Sequence, residues 1–210
     1  KRAAIARYRA NIIDCPPTMA GREAALDAVV NRTGAHAVHP YMDARVMAGQ
    51  GTLALEIFED LPAPDALIVP VGGGGLISGC ATVSKALSPT TVVIGVEPAG
   101  AADARASFLA GEVRPVADSR TIADGLRATI GAPNLAVMRE MVDDIVTVTE
   151  EEIIAAMRLI WERLKIVVEP SAAVGLAAVL GGALRLNGQR AAIVLTGGNA
   201  DLDRLPWTNG

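Results

Sequence analysis

An α/β fold built on a largely parallel, twisted sheet is predicted by three features of this 210-residue chain. Short β-branched apolar segments alternate with longer helix-compatible ones, the pattern of parallel strands joined by right-handed crossovers. Apolar residues make up 51% of the chain and aromatics only 3%, with 21 glycines. Such a composition suits tightly packed Ala/Val/Leu/Ile layers better than an aromatic-cored β-sandwich. Two apolar segments also run directly into glycine turns, Gly72-Gly73-Gly74-Gly75 and Thr196-Gly197-Gly198-Asn199. In open α/β sheets, ligands sit at the carboxyl ends of strands.

The elements follow in order. Residues 1–9 carry a helical pattern, and residues 11–14, Asn-Ile-Ile-Asp, read as a short strand. Residues 18–33 predict a helix stopped by Gly34, and residues 35–39 a second short strand closed by Pro40. Residues 47–61 are helical, with Pro62 and Pro64 beyond the end. Residues 66–71 predict a strand, 76–87 a helix, and 91–96 a strand ending at Glu97-Pro98. Residues 143–148 are strand-like. Thr149 and Glu152 then form a capping box, with Glu150 and Glu151 beside them where the helix dipole favours anions. Ile153, Met157, Ile160, Trp161 and Leu164 mark the apolar face of that helix. Residues 171–186 are almost wholly small or aliphatic and predict a buried helix, and residues 191–195 a last strand. No repeat or low-complexity tract interrupts this order.

Charge and length exclude several classes. The formal charge is −4 with no basic cluster, which argues against nucleic acid as a partner. Glu169-Pro170 and Asn187 interrupt the most apolar stretch, so no run reaches membrane-spanning length. Cys15 and Cys80 lack metal-ligand spacing and point to a reduced, cytosolic setting. The chain opens at Lys1 inside a helical pattern, without signal-peptide architecture, and is expected to lack an N-terminal portion.

The glycine run carries the chemistry. Four bare residues between a buried strand and a helix start let several N–H groups converge on one anion, with the helix dipole adding to them. Thr196, at the end of the other strand, would bring a neutral hydroxyl to the same side of the sheet. A dinucleotide reading needs Gly-x-Gly-x-x-Gly, and starts at Gly72 or Gly73 put Ile77 or Ser78 at the third glycine. Glu97 lies near the distance that reading expects, but the second glycine loop stays unexplained by it.

Six segments in order resemble one family: His39-Pro40, Ala48-Gly49-Gln50-Gly51-Thr52, Pro70 through Leu76, Thr121-Ile122-Ala123-Asp124-Gly125, Glu169-Pro170 and Thr196-Gly197-Gly198-Asn199. Together they are similar to the fold-type-II pyridoxal-phosphate enzymes, in the serine/threonine dehydratase and serine racemase branch. The resemblance implies a three-layer, tryptophan-synthase-β-like fold, here N-terminally incomplete. Residues 1–40 would be the C-terminal part of the small domain, and residues 41–210 most of the large, cofactor-binding domain.

The resemblance also implies roles. Gly72, Gly73, Gly74, Gly75 and Leu76 would bind the phosphate of pyridoxal 5'-phosphate, and Thr196 would meet its pyridine nitrogen. A neutral partner does not force a proton onto the ring, which suits elimination of a β-hydroxyl. Glu97, Ala101 and Asp103 look like a divalent-cation site for Mg²⁺, Ca²⁺ or Mn²⁺; two carboxylates and a carbonyl suit a hard ion. Taken alone, the two acids read as solvated loop residues.

One expected feature is missing. The family's Schiff-base lysine has no counterpart in context at Lys1, Lys85 or Lys165, so no catalytic residue is assigned and the chain alone is expected not to turn over. Lys85 and Lys165 read as ordinary helix-associated cations, His39 as structural, and Cys15 and Cys80 as inert. Tyr41 stands where racemases tend to carry Asn and dehydratases an aromatic, which tilts the reading towards dehydratase. Asp124 reads as a loop-ordering acid, and Glu169 as either a helix-start acid or a neighbour of the ring. The expected activity is a lyase on L-serine, L-threonine or a related hydroxy amino acid, with serine racemisation beside it, in a protein that forms a homodimer when complete. The alternatives are a dinucleotide-binding oxidoreductase and a non-catalytic binding subunit.

Overall fold

The strand Ala66–Pro70 (β1) is buried along its whole length inside a four-stranded parallel sheet of the computed structural model. On one side Val92–Pro98 (β2) pairs with it, from Ala66↔Val92 to Pro70↔Val96. Asp144–Val148 (β3) extends the sheet beyond β2, with Ile94 opposite Asp144. Ala191–Ile193 (β4) lies on the other side of β1, with Ala66 opposite Ala191. The spatial order is therefore β3-β2-β1-β4. The chain first builds outward from β1 and then returns to its other edge.

The structure describes residues 2–16 and 18–208, divided into two compact units, Lys1–His39 and Pro40–Gly210. The first unit holds helices Arg2–Arg7 (α1) and Met19–Thr33 (α2). Thr18 caps α2 by accepting from Gly21 N at 3.1 Å, and Gly34 ends it at φ 69°. Lys1, the first residue of the expected helix, lies outside the described residues.

The strands expected at residues 11–14 and 35–39 do not form. Both segments are exposed over nearly their whole length, and no strand among the described residues of their unit offers them a ladder. β-Branched residues favour a strand only where a partner exists.

In the second unit the helices are Ala44–Asp60 (α3), Gly75–Leu87 (α4), Asp103–Ala110 (α5), Ala132–Met141 (α6), Glu150–Leu164 (α7) and Pro170–Leu180 (α8). Strand alternation sorts them into layers. Leu67, Val69 and Val71 face one core with Ala54 of α3, Ile77 of α4 and Met138 of α6. Ile68 and Val96 face the other with Ile153, Met157 and Ile160 of α7 and Val174 and Ala177 of α8. A sheet between two helical layers is the predicted three-layer arrangement.

Element ends differ from expectation for local reasons. α3 starts three residues earlier because Asp43 accepts from Arg45 N at 2.8 Å and caps it. β2 runs on through Glu97 and Pro98, paired with Thr147 and Val148. α8 stops at Leu180, where Gly181 and Gly182, the latter at φ 79°, turn the chain. β4 closes at Ile193, although Val194 N still donates to Ile68 O at 3.0 Å. The short helices α5 and α6 carry no strong period and were not expected. The capping box of α7 is present, with Glu152 N donating to Thr149 Oγ1 at 3.2 Å and Thr149 N to Glu152 Oε2 at 2.8 Å. No helix among the described residues is long and apolar enough to cross a membrane.

α3 and α4 cross backbone to backbone. A Cβ at Gly79 would lie 2.2 Å from Met47 O and 2.6 Å from Gly51 N, and one at Gly51 would lie 3.0 Å from Gly79 O. The second glycine of the Gly49-Gln50-Gly51 segment thus serves helix packing. Gly79→Ala forces the two helices apart at backbone atoms that have no rotamer to yield. Urea denaturation is expected to report a loss of about 3 kcal/mol, at the upper end of overpacking costs.

Candidate functional site

The sheet order reverses between β1 and β4, and the carboxyl ends of those two strands diverge there. A crevice at such a switch point is the ligand position of open α/β sheets. Here it is a cavity of about 340 Å³. The predicted residues Gly72, Gly73, Gly74, Gly75, Leu76 and Thr196 all line it, with Tyr41, Gln50, Gly125, Glu169 and Ser171 among the others.

One wall is the glycine loop. Val71 N donates to Val96 O at 2.8 Å and Ser78 N to Gly74 O at 3.0 Å. Between them, no amide from Gly72 to Ile77 donates to an acceptor among the described residues. These N–H groups stand at the start of the 13-residue helix α4, where Gly74 at φ 90° is the cap and no side chain caps the helix. Gly73, Gly74 and Gly75 are buried. Buried amides without acceptors are costly, and an anion that takes several of them removes that cost.

The neighbours explain why glycine is needed. A Cβ at Gly73 would fall 2.5 Å from the Tyr41 ring, at Gly74 2.9 Å from Asn134 Cβ, and at Gly75 2.9 Å from Tyr41 Cβ. A Cβ at Gly72 would stand 3.1 Å from Gly125 O. The loop is therefore enclosed by the Tyr41 turn, by α6 and by the Gly125 segment.

The opposite wall comes from the β4 loop and the start of α8. Glu169 N donates to Gly197 O at 2.9 Å, which joins the two segments. Gly125 N donates to the buried Ser171 Oγ at 3.1 Å. Thr196 is exposed and Glu169 half-buried, so both are accessible from the cavity. Glu169 precedes α8 without a side-chain capping bond, which leaves its carboxylate for the cavity. Sequence reasoning gave Ser171 and Asn134 no role, since neither sits in a chemical motif and only packing brings Ser171 to the cavity and Asn134 against Gly74.

Glu97, Ala101 and Asp103 do not line this cavity. They are buried together at the end of β2 and the start of α5, with Glu97 1% and Asp103 2% exposed. Glu97 Oε2 accepts from Ala104 N at 3.0 Å and Oε1 from Arg105 N at 2.7 Å, while Asp103 Oδ2 accepts from Ile130 N at 2.8 Å. Burial pushes the Glu97 carboxyl up to about 7; the two amides oppose the rise, the Asp103 charge adds to it, and the Arg105 charge opposes it. Burial raises Asp103 as well. Neither acid makes a salt bridge among the described residues. They are buried acids, not solvated loop residues, although the described residues contain no cluster of three or more His, Cys, Asp or Glu side chains suited to a metal.

The remaining candidates are structural. Lys85 Nζ donates to Thr91 O and to Asp143 Oδ2, both at 2.8 Å, and so clasps the far end of α4 to the sheet. Lys165 ends α7 at φ 61°. Trp161 Nε1 donates to Val168 O at 2.9 Å and its ring meets Trp207 edge-on at 5.4 Å. Burial pushes the Cys80 thiol up to about 12, which makes it inert.

The profile of the family described as pyridoxal-phosphate dependent enzyme matches residues 1–197. A serine racemase of Arabidopsis thaliana is 46% identical over 206 residues, covering 96% of this chain and 62% of that protein. A beta-hydroxyaspartate dehydratase of Paracoccus denitrificans is 42% identical, covering 99% of this chain and 66% of its own length. The structure of maize serine racemase superposes with a TM-score of 0.93 at 39% identity, over 96% of this chain and 64% of that one. The chain thus spans less than two thirds of the length of these relatives. The glycine cradle at the β1–β4 switch point and the match over nearly the whole chain lead to one conclusion: this chain belongs to the pyridoxal-phosphate dependent enzyme family.

Proposed function

We propose that the chain is the cofactor-binding part of a lyase that removes water from a small hydroxy amino acid, with serine racemisation as an accompanying activity. The observation that carries this reading is the set of amides from Gly72 to Ile77 without acceptors, in one cavity with Thr196 and Glu169. The relatives named serine racemase and beta-hydroxyaspartate dehydratase support it. L-Serine, L-threonine and 3-hydroxyaspartate are the candidate substrates. Loss of the α-proton and the β-hydroxyl releases water, and the enamine product hydrolyses to a keto acid and ammonia.

Pyridoxal phosphate supplies an electron sink that acidifies the α C–H of an attached amino acid. The residues of this chain bind and orient it. The loop amides and the dipole of α4 would hold the phosphoryl group. The Thr196 hydroxyl would serve the pyridine nitrogen as a neutral partner. Neither Lys85 nor Lys165 lines the cavity, so the reaction requires a Schiff-base lysine from elsewhere in the active protein. Residues 1–40 correspond to the end of a small domain and residues 41–210 to most of a large one, a reading in line with the division after His39. The expectation of a homodimer rests on the family resemblance, and that of a reduced compartment on the unpaired Cys15 and Cys80.

Glu97 and Asp103, with the Ala101 carbonyl, are the proposed holders of a divalent cation. Two buried carboxylates that make no salt bridge among the described residues fit one, since a hard ion would offset the like charges.

Equilibrium dialysis of the chain against pyridoxal 5'-phosphate, pyridoxal and NADH tests the cofactor reading. The phosphate ester is expected to bind at least about tenfold more tightly than pyridoxal, a gap of about 1.4 kcal/mol. Gly74→Ala, strained at φ 90°, is expected to erase most of that gap, and preferential binding of NADH would overturn the reading. On a protein that also carries the lysine, keto acid release from the three substrates checks the reaction.

The cation reading has its own test. The folded Glu97 carboxyl holds its proton to about 7, above its unfolded range, so the native state binds more protons than the unfolded state in that window. In chelator, the melting temperature is therefore expected to fall as pH rises towards about 7 and to level off above it. Mg²⁺ or Mn²⁺ should restore stability above that pH, and Glu97→Gln should flatten the slope and abolish the metal effect.

A further inference from the structure

Asn134 is fully buried in the first turn of α6 and belongs to none of the chemical motifs. Its Nδ2 donates to Tyr41 O at 2.8 Å, and its own backbone carbonyl accepts from Ser78 Oγ at 3.3 Å. Its Cβ lies against Gly74, where an added Cβ would approach it to 2.9 Å. Gly131, at the cap of the same helix, donates its N–H to Gly73 O at 3.1 Å. Tyr41 in turn lays its ring on Gly73 so closely that a Cβ there would stand 2.5 Å from it. One residue thus joins the Tyr41 turn, the glycine loop and the first turn of α4.

The choice of an amide at this place has a cost. Asn134 Oδ1 is buried without a hydrogen-bond partner among the described residues and packs where a Gly131 Cβ would be, at 2.4 Å. An apolar side chain of the same size would fill the space without that orphaned acceptor. What only the amide supplies is the Nδ2 donor that pins the Tyr41 carbonyl.

We propose that Asn134 is a positioning residue: it clamps the Tyr41 turn onto the glycine loop and thereby fixes the direction of the loop amides towards a phosphoryl group. The clamp rests on the reading of that loop as the phosphate end of the cofactor site. Without the Nδ2 bond the Tyr41 turn can lift, and Gly73 and Gly74, which have no side chains to brace them, lose the surface that holds their amides in register.

The test compares binding of pyridoxal 5'-phosphate and of pyridoxal by the parent chain and by Asn134→Leu and Asn134→Ser. The ratio of the two affinities reports the phosphate end alone. Both variants are expected to lose about tenfold of the parent preference for the phosphate ester, the scale of one hydrogen bond, with pyridoxal affinity little changed. A folded variant that keeps the parent ratio overturns the clamp, and so does an equal loss for both ligands, which is the mark of a merely structural role. If Asn134→Leu fails to fold, the smaller Asn134→Ser decides; failure of both to fold counts against the proposal. A parent chain without preference for the phosphate ester is a distinct result, which removes the phosphate reading itself and the clamp with it.

Discussion

Six consecutive amides, from Gly72 to Ile77, are held at the start of α4 without an acceptor among the described residues, and the rest of the larger unit is arranged so that they can be. Leaving a buried N–H unpaired is costly, and a row of amides without protein acceptors at a helix start is suited to an anion. The frame consists of β1, buried on both faces, and α4, locked against α3 at the Gly51–Gly79 crossing. Gly73, Gly74 and Gly75 each have a neighbour that leaves no space for a Cβ, and Gly72 has one in close contact. The loop thus has amides without protein acceptors on one side and tight packing on the other.

The parallel sheet makes the opposing wall possible. β4 returns to β1 on the edge away from β2, so its terminal loop delivers Thr196 to the same end of the sheet as the glycine turn. The bond from Glu169 N to Gly197 O then ties the start of α8 to that loop. Two helix starts, α4 and α8, converge on one crevice. An anionic group is favoured against α4, whereas the Glu169 carboxylate stands at α8. This charge asymmetry distinguishes the two ends of the crevice.

The acidic pair behind β2 is a separate device. Glu97 caps the first turn of α5 through the Ala104 and Arg105 amides, while Asp103 holds the Ile130 amide in the segment that leads into α6. α6 in turn carries Asn134 against the glycine loop. The charge state of two buried carboxylates and the geometry of the loop therefore share one connecting element. Packing also gives Lys85 its purpose as a strap between α4 and Asp143, which is why its ammonium lies away from the cavity.

The sequence by itself determined the elements that local chemistry dictates. The apolar run of β1, the four glycines after it, the Thr149–Glu152 capping box and the Gly34 stop are signals contained within a few residues, and each stands where the pattern put it. Glycine loops after two strands also marked one end of the sheet, where the structure has a cavity lined by both. Tertiary structure alone decided the matters that depend on partners distant in the chain. Residues 11–14 and 35–39 have strand-like composition, but among the described residues of their unit no strand pairs with them. Glu97 and Asp103 became buried acids where the end of β2 meets the start of α5, and the amides of Ala104, Arg105 and Ile130 take up their oxygens. Ser171 met the Gly125 amide and Asn134 the Tyr41 carbonyl through bonds spanning 46 and 93 positions of the chain, separations over which residue patterns carry no record of proximity.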